Sequence, residues 1–355
     1  MSGADLTGWT LVAIASRPAG AQVEWCRLGD ARFTEPFFEQ TISRALRDPA
    51  RLLFRRQTPL AALEALQDDP TALPPRGFIF HLSRCGSTLA AQLLAALPQN
   101  LVISEAPPLD QLFVAHRLDS RLTPAQRIAQ LRGLVRALGR PRHRDERHLF
   151  IKFDSWHALE LPLILEAFPD VPWVFLYRDP VEIMVSQHRQ RGSQMVPGLV
   201  DPQRFGLDPA FVAQMSLDEY CARVLARISV AAAMHVQLGH GRLVNFTQLP
   251  AALWESLGDF FGVTWTTDDL ERMRRASLAD AKTPSLAHAD DRAAKQREAG
   301  AEIHRLVETW LREPHEHLES LRLAQAGEAE PASALAASAS SNSRSQSFTT
   351  QSITR

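Results

Sequence analysis

From Gly77 onward the chain repeats one pattern that leaves few folds open. Short runs, FIF (78–80), LVIS (101–104), LFIKF (149–153), WVFLY (173–177) and LVNF (243–246), alternate with stretches of helical periodicity. Each run is apolar almost end to end and bounded by breakers, the mark of a strand buried on both faces. Between them, Leu89, Leu93 and Leu97 recur at i, i+4 and i+8. Thr123 and Pro124 open a helix through Leu138, and Ile303, Leu306, Val307, Trp310 and Leu311 share one face of a late helix. Such alternation predicts an α/β fold of three layers, α/β/α, around a parallel sheet of about five strands.

What lies outside this pattern sets the boundaries. Residues 1–75 read as an α+β extension of unknown role. TLVAIA and QVEWCRL are two strands, and Thr34 with Pro36 opens a helix through FFEQTISRAL. The patterned domain covers 76–324. Residues 325–355 are rich in alanine and serine, with too few apolar side chains to offset the entropy of ordering, and are expected to be disordered. A formal net charge of -1 gives no global pull toward nucleic acid or an anionic membrane. No basic, apolar leader and no apolar run of spanning length is present, so the expected location is cytoplasmic. Three scattered cysteines, Cys26, Cys85 and Cys221, fit a reducing compartment and offer no metal pattern.

The loop after the first patterned strand, HLSRCGST (81–88), has the layout of a phosphate loop. A helix start presents outward N–H groups and a positive dipole end. Gly86 lets the backbone approach an anion, Ser87 and Thr88 add hydroxyls, and Arg84 adds a fork of donors. The triphosphate loop GxxxxGK[ST] depends on a lysine that is absent here, since Ser87 follows Gly86. A magnesium triphosphate is therefore not the expected ligand, and no metal is expected. Cys85 lacks the arginine six residues on that cysteine phosphatases need; Ala91 stands there.

The stretch WVFLYRDPVEIMVSQHRQRG (173–192) ends a strand at Arg178, opens a helix with Asp179 and Pro180, and places Ser186 eight residues after Arg178. With the earlier loop it resembles the sulfotransferases that use 3′-phosphoadenosine 5′-phosphosulfate (PAPS), bacterial and tyrosylprotein members above all. The resemblance spans roughly residues 77–325. It implies that Arg84, Cys85, Gly86, Ser87 and Thr88 bind the 5′-phosphosulfate, and that Arg178 and Ser186 grip the 3′-phosphate. Adenosine 3′,5′-bisphosphate would be the product. A PAPS donor has no β/γ-phosphate pair, so the missing lysine is accounted for. The family's strand-end lysine matches Lys152 in HLFIKFDSW, where it stabilises the transferring group. Only three lysines occur, Lys152, Lys282 and Lys295, and the resemblance lets either of the last two close the nucleotide site. Phe246 matches an aromatic near the adenine, although Thr247 and Gln248 replace the acidic pair that usually follows.

Sulfuryl transfer to a hydroxyl needs in-line positioning, charge stabilisation and a base. Cytosolic relatives place a histidine where this chain has Asp154. Others use a glutamate ending the second strand, which here is Glu105. Glu105 is the expected base, with Asp154 second and His157 third. Lys152 and Arg84 would stabilise charge. Seven arginines between 127 and 148 read as a solvated face, or as a surface for an acidic acceptor; HEH (315–317) lacks metal-ligand spacing. The expected partner is a small-molecule, glycan or peptide acceptor, presenting a hydroxyl or an amine, with neither nucleic acid nor membrane involved. Competing readings are a divergent P-loop kinase and a non-catalytic nucleotide-binding protein.

Overall fold

A computed structural model describes residues 6–17, 20–238, 240–279, 281 and 291–327. Among the described residues eight strands form two sheets: β1 (Thr10–Ala15), β2 (Gln22–Cys26) and β3 (Arg55–Pro59), then β4 (Pro75–His81), β5 (Asn100–Ser104), β6 (His148–Lys152), β7 (Trp173–Tyr177) and β8 (Gly241–Asn245). The second sheet is parallel throughout, in the order β5-β6-β4-β7-β8. The chain runs from β4 to β5 and β6 on one side, then crosses to β7 and β8 on the other. The crevice at the carboxyl end of β4 is therefore the place where such sheets bind ligands.

Side-chain alternation explains the three layers. Phe78, Phe80, Leu101, Ile103, Leu149, Ile151, Phe175 and Leu243 point into one core. Ile79, Val102, Phe150, Val174, Leu176 and Val244 point into another on the opposite face. Two buried faces require strands without polar positions, as the sequence pattern implied. The second core is closed by the helices Ser87–Ala95 and Thr267–Ala276. The first takes the helices Pro107–Leu118, Pro124–Leu138 and Leu217–Val236.

The antiparallel sheet β1-β2-β3 packs into that same first core. Ile14 N–H donates to Gln111 Oε1 at 2.7 Å. The turn Leu60–Leu66 presses so closely on the helix Pro124–Leu138 that a Cβ at Gly133 would lie 1.8 Å from the Leu63 carbonyl oxygen.

Several expectations need correction. β3 was not legible: RRQTP is an edge strand in which only Thr58 is buried, so it lacks an apolar signal. The helix expected to open at Thr34 and Pro36 is Phe38–Ala45. Phe37 is still extended (φ -134°, ψ 144°), and its N–H donates to Gln40 Oε1 at 3.3 Å. The arginines of 127–148 do not form one solvated face. Arg132 donates to the Ala167 carbonyl, and Arg140 to Asp69 and the Leu6 carbonyl. Arg142 lies 4.3 Å over the Phe33 ring centroid. Arg140 and Arg142 pin the N-terminal region to the main domain, while Arg132 ties two of the main domain's own helices. The late helix continues through residue 327, past the expected break at 324, and residues 328–355 lie outside the described set.

Candidate active site

Three consecutive strand ends build one cavity. β4 runs into the loop after His81, β5 ends one residue before Glu105, and β6 ends at Lys152 with Asp154 just beyond. His81, Ser83, Arg84, Ser87, Thr88, Glu105 and Asp154 line a cavity of about 240 Å³, closed by Phe37, Trp156 and residues 190–194.

The loop owes its shape to left-handed backbone. Ser83 (φ 56°), Arg84 (φ 50°) and Gly86 (φ 82°) all have positive φ, and so does Glu105 (φ 49°). Non-glycine residues hold such angles only where the surroundings over-determine them. Ser83 N–H donates to His81 Nδ1 at 3.0 Å, and Ser83 Oγ accepts from Gln187 Nε2 at 2.9 Å. Gly86 needs to be glycine twice over, because a Cβ would also lie 2.8 Å from the Phe246 ring. Arg84 donates from Nη2 to the Gln190 carbonyl (2.6 Å) and to Gln190 Oε1 (3.2 Å).

Glu105 is the electrostatic hub. It pairs with the fully buried Lys152 Nζ and lies 3.2 Å from His81 Nε2; its N–H donates to the Lys152 carbonyl at 2.7 Å. Burial pushes its carboxyl upward, but the Lys152 ammonium and His81 outweigh that and hold it well below the usual carboxylate range. His81, depressed mainly by burial, is neutral. Its Nδ1 accepts, so Nε2 carries the proton toward Glu105 and the Phe153 carbonyl. Asp154 behaves oppositely. Burial first, then the Glu105 and Asp110 carboxylates, raise its carboxyl well above the usual range, although its side chain keeps 13% exposure at the cavity wall. One cavity thus holds two acids whose surroundings push them in opposite directions.

The structure separates the remaining candidates. His157 is no base in this arrangement. It is fully buried, its Nδ1 accepts from Asp154 N–H at 3.3 Å, and its Nε2 donates to Asp110 at 3.1 Å. Cys85 turns into the core, where Sγ donates to the Leu176 carbonyl at 3.1 Å; burial pushes the thiol up to about 11. Only its backbone can face an anion.

Arg178 belongs to a second cavity of about 380 Å³, lined also by Glu182, Asn245, Phe246, Thr247, Arg292 and Glu319. Its guanidinium stacks 4.1 Å over the Phe246 ring centroid, donates from Nε to the buried Glu182, and from Nη2 to Asp291 at 2.8 Å. Asp291 also pairs with Lys295 at 2.7 Å. Phe246 thus lies between Arg178 and the Gly86 turn, joining the two cavities. Ser186 lines neither of them. Lys282 lies outside the described residues.

Sequence reasoning missed Phe37, His81, Glu182, Asp291 and Glu319. Asp291 stands 113 residues from Arg178, and no local pattern joins them. His81 was within the quoted loop, and its place at a strand end was the one available signal.

Among the described residues no group of three His, Cys, Asp or Glu is set to hold a metal ion, and no helix is long and apolar enough to cross a membrane. No family model and no curated protein matches the chain. Its fold is similar to that of several sulfotransferases of known structure. A sulfotransferase domain from the curacin biosynthetic pathway is 16% identical with a TM-score of 0.40, covering 67% of this chain and 98% of its own. A sulfotransferase from Alicyclobacillus acidocaldarius is 14% identical with a TM-score of 0.44, covering 70% and 96%. A retinol dehydratase, in complex with androsterone and inactive cofactor PAP, is 14% identical with a TM-score of 0.36, covering 69% and 82%.

Proposed function

We propose that the protein is a sulfotransferase that moves a sulfuryl group from PAPS to an acceptor hydroxyl. The observation that carries the reading is the convergence of Arg84, Ser87, Thr88 and Glu105 on one cavity, with the Lys152 ammonium buried behind it and paired to Glu105, and with Phe246 packed between the Gly86 turn and Arg178.

The residues fit the donor. The left-handed turn and the Ser87 and Thr88 hydroxyls suit the 5′-phosphosulfate, while Arg178 and Lys295 suit the 3′-phosphate. Phe246 is a stacking surface beside them. In the reaction the acceptor oxygen attacks sulfur, the bond from sulfur to the bridging phosphate oxygen breaks, and the acceptor proton passes to Glu105. Lys152 and Arg84 hold the charge that develops on the leaving phosphate.

The resting ion pair supplies the timing. Alone, Glu105 is a weak base because Lys152 stabilises its charge. An incoming anion that draws Lys152 away leaves the carboxylate buried and unpaired, so burial then raises its basicity. At Asp154, burial and the neighbouring Glu105 and Asp110 carboxylates favour the protonated form, which suits it to donate a hydrogen bond.

The test is calorimetric titration with adenosine 3′,5′-bisphosphate, compared with ATP–magnesium and adenosine 5′-monophosphate. Tight binding that depends on the 3′-phosphate supports the reading. A preference for ATP–magnesium, or no binding of any of the three, overturns it.

A further inference from the structure

Whole-chain neutrality conceals a local asymmetry on the N-terminal sheet. Residues 44–56, RALRDPARLLFRR, carry Arg44, Arg47, Arg51, Arg55 and Arg56 against Asp48 alone. In their midst the helix Pro49–Leu53 buries none of its residues. Leu52, Leu53 and Phe54 stand 51%, 81% and 66% exposed, the only three consecutive large apolar side chains so exposed among the described residues.

Beside this tip is a cavity of about 540 Å³ lined by Trp9, Arg27, Gly29, Ala50, Arg51 and Phe54. The Trp9 ring carries the guanidinium of Arg27 at 5.2 Å and that of Arg56 at 5.1 Å. Arginines on an exposed edge strand ordinarily guard it against pairing with another sheet, which accounts for Arg55 and Arg56 on β3. That role leaves the apolar tip unexplained, since exposing it costs free energy.

We propose that residues 44–56 dock the protein on an anionic lipid bilayer. Leu52, Leu53 and Phe54 enter the boundary between headgroups and acyl chains, and Arg27, Arg47, Arg51 and Arg55 engage lipid phosphates. Two features favour a bilayer over a protein partner. The apolar side chains project outward, and a soft surface accepts a projection without a complementary groove. The cations lie both before and after the tip in sequence and across it on β2's following turn, matching a uniformly negative plane. This contact is peripheral and is independent of the reaction proposed above.

The full chain would be sedimented with vesicles of phosphatidylcholine alone, and with vesicles containing about 30 mol % phosphatidylglycerol. The expected result is binding to the anionic vesicles only, weakening about tenfold or more between ~0.1 M and ~0.5 M salt. L53D/F54D should abolish it, and R47E/R51E should weaken it by about tenfold or more, with melting temperatures unchanged. No binding to anionic vesicles at low salt, equal binding to neutral vesicles, or undiminished binding by L53D/F54D would each overturn the proposal. So would a dimer, seen by analytical ultracentrifugation, that L53D/F54D dissociates in the absence of any vesicle binding.

Discussion

The two cavities handle charge differently. At the Glu105 end the cation and its carboxylate sit at the ends of adjacent strands, with Lys152 fully buried in β6 and Glu105 held at positive φ just past β5. At the Arg178 end one carboxylate, Glu182, is buried on the helix that follows Arg178, while the other, Asp291, comes from a distant segment and is 43% exposed. On the proposed function, the pairing in the first arrangement changes during the reaction, and in the second Asp291 holds the place on Arg178 that the 3′-phosphate would take.

The largest test of this contrast is Glu105→Gln. Turnover should fall by roughly 10²–10⁴ while bisphosphate affinity is nearly unchanged; full turnover would remove Glu105 from the base role. Lys152→Met should lower kcat by about 10²–10³ and release Glu105 from its partner. The acid limb of the pH–rate profile should then move to higher pH, because burial is no longer opposed. An unmoved limb would mean that Glu105 does not titrate in catalysis.

At the other end, Arg178→Ala should weaken bisphosphate binding by roughly 1.5–3 kcal/mol with little change in kcat at saturation. Asp291→Asn should act in the opposite sense, tightening the bisphosphate about two- to fivefold, the scale of a partly exposed ion pair. Weaker binding in that variant would show that Asp291 supports the ligand and does not stand in for it.

The smallest effect concerns stability. Burial and the Glu105 and Asp110 carboxylates raise the Asp154 carboxyl in the fold, so its contribution is present below the ordinary carboxylate range and is lost as pH rises from there through the folded value. Asp154→Asn removes that loss. The variant should gain melting temperature over the parent chain at about pH 8, and gain less at about pH 4. Equal gains at both would mean that Asp154 is not perturbed.

The parallel sheet was legible because burial on two faces forces continuous apolar runs, as in WVFLY and LFIKF. The strand-end residues Glu105, Lys152 and Arg178 were legible for the same reason: once a strand is placed, its carboxyl end is placed with it. The loop 81–88 announced itself through glycine and hydroxyls. What stayed hidden depends on contacts between distant segments. Phe37 reaches Lys152 (5.5 Å from Nζ to its ring centroid) from just before the helix Phe38–Ala45, and Asp291 reaches Arg178 from beyond β8. Ser186, paired with Arg178 by the resemblance, is half-buried on the helix Pro180–Arg189 and lines neither cavity.

The close approach at Gly133 bears on how the chain comes apart. With Leu63 seated against a helix that has no side chain at that point, the first 75 residues and the parallel sheet share one apolar interior. A shortened chain starting near Gly77 would bare Leu109, Leu112, Leu131 and Leu134 to water and would remove Phe37 from above Lys152. The change of pattern near residue 75 is thus a seam in the writing and not a line of cleavage. Melting is expected to be a single cooperative event, and any division of labour between the two sheets has to be probed by point substitution in the intact chain.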